Sequence, residues 1–494
     1  MKKILKNINH TVSQINSIAK YHDFIEGDSS VLIIKGYAGT GKTTLIDYIC
    51  KDLNKNRINS NVMAPTGRAA KVVSDKIDNE SFTIHKSIYA LDNLIEFDSS
   101  NQSSNSFKYF FGLKYNVDSS KSVYIVDESS MISNNFSDSL FFRFGSGYLL
   151  NDLIKYTQVQ NNKYNRKIIF VGDTAQLPPI GMDYSPALDA NYLRSIYNIK
   201  VDETELIDVV RQKSDSGILE NATRIRKQIT SHRLEQFNID NSYSDIKKID
   251  YNDIVKEYMS LRKNSSPIII AHSNKTVHEY NSAIRNKLYP KSINIEKGDK
   301  VLVIRNNYKY GLLNGEFGTI VGICSETEHK KIHLKNEGGV NVDLYFKDLL
   351  INVNTIDGKS TNIKCKVIKN ILDSKNSFLT RNEQQALYVL YIINMKSKGI
   401  KPKTPEFREG IKNDPYFNAL CIKYGYAVTC HKAQGGEWDN VIVDFNASLN
   451  KLSDKYFRSC YTALTRCSKN LLALNKSHND IIFDIDNVMR DISK

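Results

Sequence analysis

The chain has 494 residues, 41% of them hydrophobic and 25% charged, which is the balance of a globular protein with room for about three or four domains. No run of about 18 apolar residues occurs, so no membrane-spanning helix is expected, and the seven cysteines are scattered without a CxxC, which argues against a disulfide framework or a zinc site and fits reduced thiols. The net charge of +14, with a pI near 9.1, points to a polyanionic partner, although a composition rich in Lys, Asn and Ile, as an AT-biased genome gives, accounts for the same charge.

The N-terminal MKKILKNINH lacks a long apolar core, so no signal peptide is expected. Residues 1–30 read as a short helix ahead of the first strand, and Gln14 lies in it. An amide that donates and accepts at once suits an adenine edge, but a lone Gln on a helix is more often a solvated position. The apolar run Val31-Leu32-Ile33-Ile34 then leads into Gly36-Tyr37-Ala38-Gly39-Thr40-Gly41-Lys42-Thr43, and a helix follows from Thr44 to Leu53. Strand, G-x-x-x-x-G-K-[ST] and helix together make a phosphate-binding loop. Gly36, Gly39, Thr40 and Gly41 let backbone N–H groups curl around phosphate oxygens, and the helix start at Thr44 adds partial positive charge. Lys42 would reach the β- and γ-phosphates of ATP, and Thr43 would hold Mg²⁺.

Next, Asn61 to Ala64 reads as a short strand that ends in Pro65-Thr66-Gly67-Arg68 and opens a helix. Thr66 and the following N–H groups could hold a strand phosphate with Arg68 nearby; a plain capped loop explains the same residues. Thr83-Ile84-His85-Lys86 follows, and residues 87–121 change character, with a polar run from Ser99 to Ser106 ahead of Tyr109-Phe110-Phe111. Those aromatics could stack bases or form a small core of their own. Val123-Tyr124-Ile125-Val126 is a buried-strand run ending in Asp127 and Glu128, one acid for a Mg²⁺ shell and one to activate water. Residues 132–166, which include Phe141-Phe142-Arg143-Phe144, carry no assigned role. The strand Ile168 to Val171 leads to Gly172-Asp173-Thr174-Ala175-Gln176-Leu177-Pro178-Pro179, where Gln176 can touch a γ-phosphate and report its loss.

GYAGTGKT, APTGRAAK, TIHK, VDESS and GDTAQLPP, in that order, resemble the helicase motifs of superfamily one, most of all those of the RecD-like branch that includes the Dda helicases of phages. Val209-Val210-Arg211-Gln212, Ala271 to Lys275 after the run Ile268-Ile269-Ile270, Tyr426 to Trp438, and Tyr461 to Arg466 resemble the later motifs. The matched positions span residues 14–466.

The resemblance implies an α/β fold of two RecA-like P-loop motor domains. The first covers 1–210 with a pin-like insertion at 87–121. The second covers 211–296 and 417–494, interrupted at 297–416 by an SH3-like β-barrel. Alternating short strands with Asn-Gly turns from Gly298 to Ile320 agree with a barrel; a helix at Glu383 to Lys396 and the Lys/Pro-rich 401–405 do not follow from the likeness. After Arg466 a last strand, at Leu471-Leu472-Ala473-Leu474, and a helix are expected.

The implied activity is an ATP-dependent DNA helicase moving 5′ to 3′ on single strands, with ATP between the two domains. Lys42, Asp127, Glu128, Gln176, Arg211 and Arg466 would serve the chemistry. Pro65, Thr66, Arg68, His85 and Lys86 in the first domain, with Asn274, Thr429 and His431 in the second, would contact the strand. The expected partners are single-stranded DNA and duplex junctions, besides replication or repair proteins, for a monomer in the cytoplasm of a bacterial cell or a phage-infected host. Residue chemistry alone leaves open an RNA-directed helicase of the same superfamily, or a translocase or nucleic-acid-binding module that unwinds only with a partner.

Overall fold

Uninterrupted apolar runs give strands buried on both faces, as parallel sheets require. Val31–Ile34, Val123–Val126 and Ile168–Val171 are such runs, and all are buried in the computed structural model of the chain. The structure describes residues 10–77, 79–97, 108–138, 141–161, 163–209, 216–335, 339–354, 360–446 and 450–474.

Helix α1 (Val12–Glu26) precedes β1 (Val31–Gly36), α2 (Lys42–Lys55), β2 (Ser60–Ala64), α3 (Gly67–Ser74), β3 (Ser81–Thr83) and α4 (Ile84–Ile88). There follow β4 (Tyr89–Phe97), β5 (Lys108–Leu113), β6 (Val123–Val126), β7 (Phe142–Phe144), α5 (Leu149–Thr157), β8 (Lys167–Gly172), α6 (Ala190–Tyr197) and β9 (Val201–Leu206). The first sheet runs β3-β2-β6-β8-β1-β9, with every pairing parallel. Its strands therefore all end on one edge, the edge where open α/β sheets bind ligands.

The second unit holds α7 (Gly217–Ser231), β10 (Ile246–Ile249), α8 (Ile254–Arg262), β11 (Ile268–Ala271) and α9 (Asn274–Leu288). An antiparallel sheet interrupts it, built from β12 (Lys300–Val303), β13 (Phe317–Ile323), β14 (Glu328–Leu334), β15 (Val340–Asn354) and β16 (Ser360–Ile368). Three helices follow, α10 (Lys369–Leu372), α11 (Arg381–Ser397) and α12 (Pro405–Asn413), before β17 (Ile422–Tyr424). The unit resumes with β18 (Ala427–Thr429), α13 (Cys430–Ala433), β19 (Trp438–Asp444), α14 (Asp454–Leu464) and β20 (Cys467–Leu474), giving a second parallel sheet ordered β10-β20-β19-β11-β18.

The interrupting sheet reaches beyond the expected limit at residue 416. Strand β17 pairs antiparallel with β12, and the Gly425 N–H donates to the Lys300 carbonyl at 2.7 Å before β18 joins the second parallel sheet. The expected last strand is the end of β20; the helix expected after it lies outside the described residues, as does the polar tip of the 87–121 insertion.

Residues 132–166 have a structural role that composition hid. Strand β7 pairs parallel with β5 and makes a third strand beside the β4–β5 hairpin. Phe111 stacks on Phe142 and Phe144 at 5.7 and 5.0 Å. Tyr109 and Phe111 are buried, so these aromatics are core and not an exposed stacking platform. Helix α11, started by a reciprocal Thr380–Glu383 capping box, has two apolar faces. Ala386, Leu387 and Leu390 share a core with Leu344 and Phe346 of the antiparallel sheet. Tyr388, Tyr391 and Met395 join the core of the β4-β5-β7 sheet together with Phe407 and Ile411 of α12. The Lys/Pro-rich 401–405 is the lead-in to α12, with Thr404 as its N-cap and Pro405 in its first turn. Among the described residues no helix is long and apolar enough to cross a membrane.

Candidate nucleotide cleft and strand-binding loops

The glycine loop leaves the end of β1 and enters α2 with Gly39 and Gly41 at φ +79° and +82°, a region open to glycine at little cost. Thr40 ties the loop to itself, its hydroxyl donating to the Tyr37 carbonyl at 2.9 Å. Gln14 sits behind it: its Nε2 donates to the Thr40 carbonyl at 3.1 Å, and its Oε1 accepts from the Thr11 N–H at 3.1 Å in the α1 capping box. Gln14 is thus a buried brace of the loop and not a solvated helix position. A Cβ on Gly36 would lie 3.0 Å from Lys42 Cγ and from Thr40 Oγ1. Lys42 Nζ donates to the Gly36 and Tyr37 carbonyls at 2.8 and 3.0 Å.

Because β8 lies between β6 and β1, the residues after these three strands converge. Gly39, Gly41, Lys42, Thr43, Thr44, Asp127, Glu128 and Gln176 line one cavity of about 280 Å³. Asp127 Oδ1, Glu128 Oε2 and Gln176 Oε1 are buried with no hydrogen-bond partner. Burial, and then the adjacent Glu128 carboxylate, push the Asp127 carboxyl up from its ordinary value. Three orphaned oxygens beside a lysine and a threonine hydroxyl suit a divalent cation and a polyphosphate, and a bound cation would reverse the shift on Asp127. No cluster of metal-ligating acids, histidines or cysteines is found among the described residues, as expected where water and substrate oxygens complete a magnesium shell.

The opposite wall comes from the second unit. Arg466 lines the same cavity, its guanidinium held by the Thr462 carbonyl at 3.1 Å, the Gly436 carbonyl at 3.2 Å and the Thr465 hydroxyl at 3.1 Å. Helix α14 reaches across at three further points. The Tyr461 hydroxyl accepts from the Ala38 N–H at 3.2 Å and donates to Asp173 Oδ2 at 2.7 Å. Thr462 Oγ1 accepts from the Leu177 N–H at 3.0 Å, and the Arg458 guanidinium donates to the Thr174 carbonyl. From α13's end, Gln434 Nε2 donates to the Leu177 carbonyl at 2.8 Å. Arg211 lies outside the described residues. Arg226 of α7 also reaches the glycine loop, its guanidinium 3.8 Å from the Tyr37 ring centroid.

The candidate strand residues fall into two matched pairs of loops. In the first sheet Ala64 of β2 pairs with Thr83 of β3, so Pro65-Thr66 and His85-Lys86 emerge side by side. In the second, Ala271 of β11 pairs with Thr429 of β18, so Asn274 and His431 emerge alike. Thr66, Thr83, Ser273 and Thr429 each cap the helix that follows, accepting from the N–H three residues on. Asn274 and Thr429 line a common recess with Lys423 and Lys432. His431 lies near His272 and Lys455, and burial lowers its affinity for a proton.

Two expected contacts sit differently. His85 packs against Tyr89 and Phe144 at 5.4 and 5.2 Å, and burial pushes its imidazole down to about 4. A neutral ring cannot pair with a phosphate as a cation. The Arg68 guanidinium lies 3.8 Å from the Trp438 ring centroid and 5.1 Å from that of Phe317, turned toward the second unit.

Residues 24–182 match the family described as the AAA domain, and residues 424–474 match the UvrD-like helicase C-terminal domain. The RecBCD enzyme subunit RecD of Buchnera aphidicola is 25% identical, over 90% of this chain and 70% of its own length. The ATP-dependent DNA helicase dda of Enterobacteria phage T4 is 27% identical over 57% of this chain and 58% of its own length. The two matched domains and these relatives support a superfamily-one helicase of the branch that holds RecD and Dda. An uncharacterised protein of Acanthamoeba polyphaga mimivirus is 26% identical over 92% of this chain and 97% of its own length. In this superfamily-one helicase the two sheets carry the two halves of the cleft. Tyr461, Arg458, Thr462 and Gln434 are the cleft residues that sequence reasoning missed. Gln434, Tyr461 and Thr462 stood inside recognised motifs, but only contacts with residues more than 250 positions away show their use.

Proposed function

We propose that this helicase hydrolyses ATP between its two parallel-sheet units to move 5′ to 3′ along single-stranded DNA and to part duplex at junctions. One observation carries the reading: Lys42, Thr43, Asp127, Glu128 and Gln176 of one unit and Arg466 of the other line a single cavity. Lys42 binds the β- and γ-phosphates in place of the two loop carbonyls it now holds. Thr43 and Asp127 would hold Mg²⁺, which would neutralise charge on the phosphate oxygens. Glu128 takes the proton of the attacking water, and its free buried oxygen faces the cavity. Gln176 orients that water or the γ-phosphate. Arg466 stabilises charge on the transferring phosphoryl, as arginine fingers do at about 10³–10⁵ in rate.

Each unit grips the strand through its pair of capped loops, Pro65-Thr66 with His85-Lys86 and Asn274 with Thr429 and His431. Contacts at helix starts and main-chain N–H groups favour phosphate over base, so the grip is indifferent to sequence. The 5′-to-3′ direction rests on likeness to the RecD-like branch. The β4-β5-β7 sheet is the pin that meets the duplex fork, and the antiparallel sheet from β12 to β17 is an SH3-like barrel. Its helices α11 and α12 support the reading of a braced pin, because they share the pin's core.

Steady-state ATP hydrolysis with no nucleic acid, with a dT oligomer and with an rU oligomer tests the motor and its substrate. The expected result is a rise of about tenfold or more with dT and little with rU, all of it lost in Lys42→Ala. Equal stimulation by rU would make the enzyme RNA-directed. Hydrolysis that survives Lys42→Ala would overturn the site.

A further inference from the structure

Three parts of the molecule meet at the first two residues of α3. Gly67 packs against the side chain of Leu313, in the loop between β12 and β13, and a Cβ on Gly435 would lie 3.0 Å from the Ala69 Cβ. A Cβ on Gly436 would collide with the Arg68 guanidinium, so α3 sits directly on the Gly435-Gly436 backbone. The guanidinium also covers the Trp438 ring at 3.8 Å. That short segment clasps Arg466 from both ends: the Gly436 carbonyl accepts from Arg466 Nη1 at 3.2 Å, and the Trp438 N–H donates to the Arg466 carbonyl at 2.9 Å. Arg68 therefore touches two of the residues that hold the finger, Gly436 and Trp438.

We propose that Arg68 is a positioning residue for Arg466, carrying the state of the Pro65-Thr66-Gly67 loop through Trp438 to the arginine finger. The inference rests on the motor reading above and goes beyond it by naming how strand binding and hydrolysis are coupled. Arg68 Nη1 is buried with no hydrogen-bond partner. Burial, with Arg466 as its cationic neighbour, lowers the Arg68 guanidinium to about 9. A cation with a buried, unpartnered Nη1 beside a second cation is an expensive way to fill space. It is well suited to a contact with two arrangements, which the phosphate on the adjacent loop biases. Planarity is what the contact uses, since a guanidinium stacks on an indole face and an ammonium does so less well.

The test separates a positioning role from a simple strand contact. Arg68→Lys keeps the charge and loses the planar face; Trp438→Leu removes the ring and leaves the charge. ATP hydrolysis is measured against a dT oligomer and against ATP for wild type, both variants and Arg68→Ala. A positioning role predicts that Arg68→Lys and Trp438→Leu each lower kcat at saturating oligomer by about tenfold or more, with the half-saturating oligomer and the ATP KM changed by less than about threefold. Trp438 is the only tryptophan of the chain, so its emission should shift when the oligomer binds wild type and stay fixed when it binds Arg68→Lys. If Arg68→Lys keeps wild-type kcat and only the half-saturating oligomer rises, Arg68 is a strand contact and the inference fails while the motor reading stands. If wild type itself is not stimulated by the oligomer, both fail.

Discussion

A buried carboxylate oxygen with no partner, facing a cavity that also holds a lysine and an arginine, is placed to take a proton. Glu128 has φ +49°, a backbone region costly for a residue with a Cβ, and this turn directs its side chain toward the cleft. Glu128→Gln should keep nucleotide binding and lose about 10²–10⁴ in turnover. Binding of a fluorescent ATP analogue, beside single-turnover hydrolysis, checks it; normal turnover would remove Glu128 from that role. At His85 the consequence is in stability. Its folded pKa of about 4 lies below the ordinary value of 6.5, so the unfolded chain binds a proton that the folded chain refuses. Stability is complete above pH 6.5 and falls as pH drops toward 4, by up to about 3 kcal/mol at 1.36 kcal/mol per unit. Urea unfolding at several pH values should show a shallower acid loss in His85→Gln; an identical slope would contradict it. Sequence spacing alone singled out Lys42, Thr43, Asp127 and Glu128, which line one cavity, because the glycine loop and the acids after a strand have a local signature. It missed the brace role of Gln14 and the direction of Arg68, because both depend on which distant surface the side chain meets.

Among the elements, the β4-β5-β7 sheet and helices α11 and α12 form one core from segments far apart in the chain. Phe141 and Tyr388 rings lie 5.1 Å apart, and the Tyr109 and Tyr388 hydroxyls 3.4 Å apart. Removing such a ring from a buried position costs about 3 kcal/mol. Tyr388→Ala should therefore lower the unfolding free energy by about that much, read by denaturant titration, and a loss under about 1 kcal/mol would mean the helices do not hold the β4-β5-β7 sheet. The sequence located α11 within a few residues, the expected 383–396 lying inside Arg381–Ser397. It gave no hint that Phe142-Arg143-Phe144 would pair with β5. Three residues carry too little pattern, and parallel pairing leaves no turn signal between partners. The end of the inserted sheet was misjudged for a related reason: β17 is three residues long and separated from β18 by Gly425 and Tyr426 alone.

At the scale of the molecule, the order of the motifs made two parallel sheets and one shared cleft legible before any coordinates. The contacts that join the halves were not legible, because Tyr461 to Asp173, Gln434 to Leu177 and Arg458 to Thr174 each pair residues with no sequence relation. All three join the second unit to the loop after β8 that carries Gln176, the contacts across which closure of the cleft is proposed. The net charge of +14 supports a strongly salt-dependent hold on the strand. The central claim is directional movement driven by that closure. Its most direct test is fluorescence unwinding of two partial duplexes, one with a 5′ single-stranded tail and one with a 3′ tail, in ATP and Mg²⁺. Separation of the 5′-tailed duplex alone is the predicted result. Separation of the 3′-tailed duplex alone would contradict the assigned direction, and separation of neither would contradict the helicase.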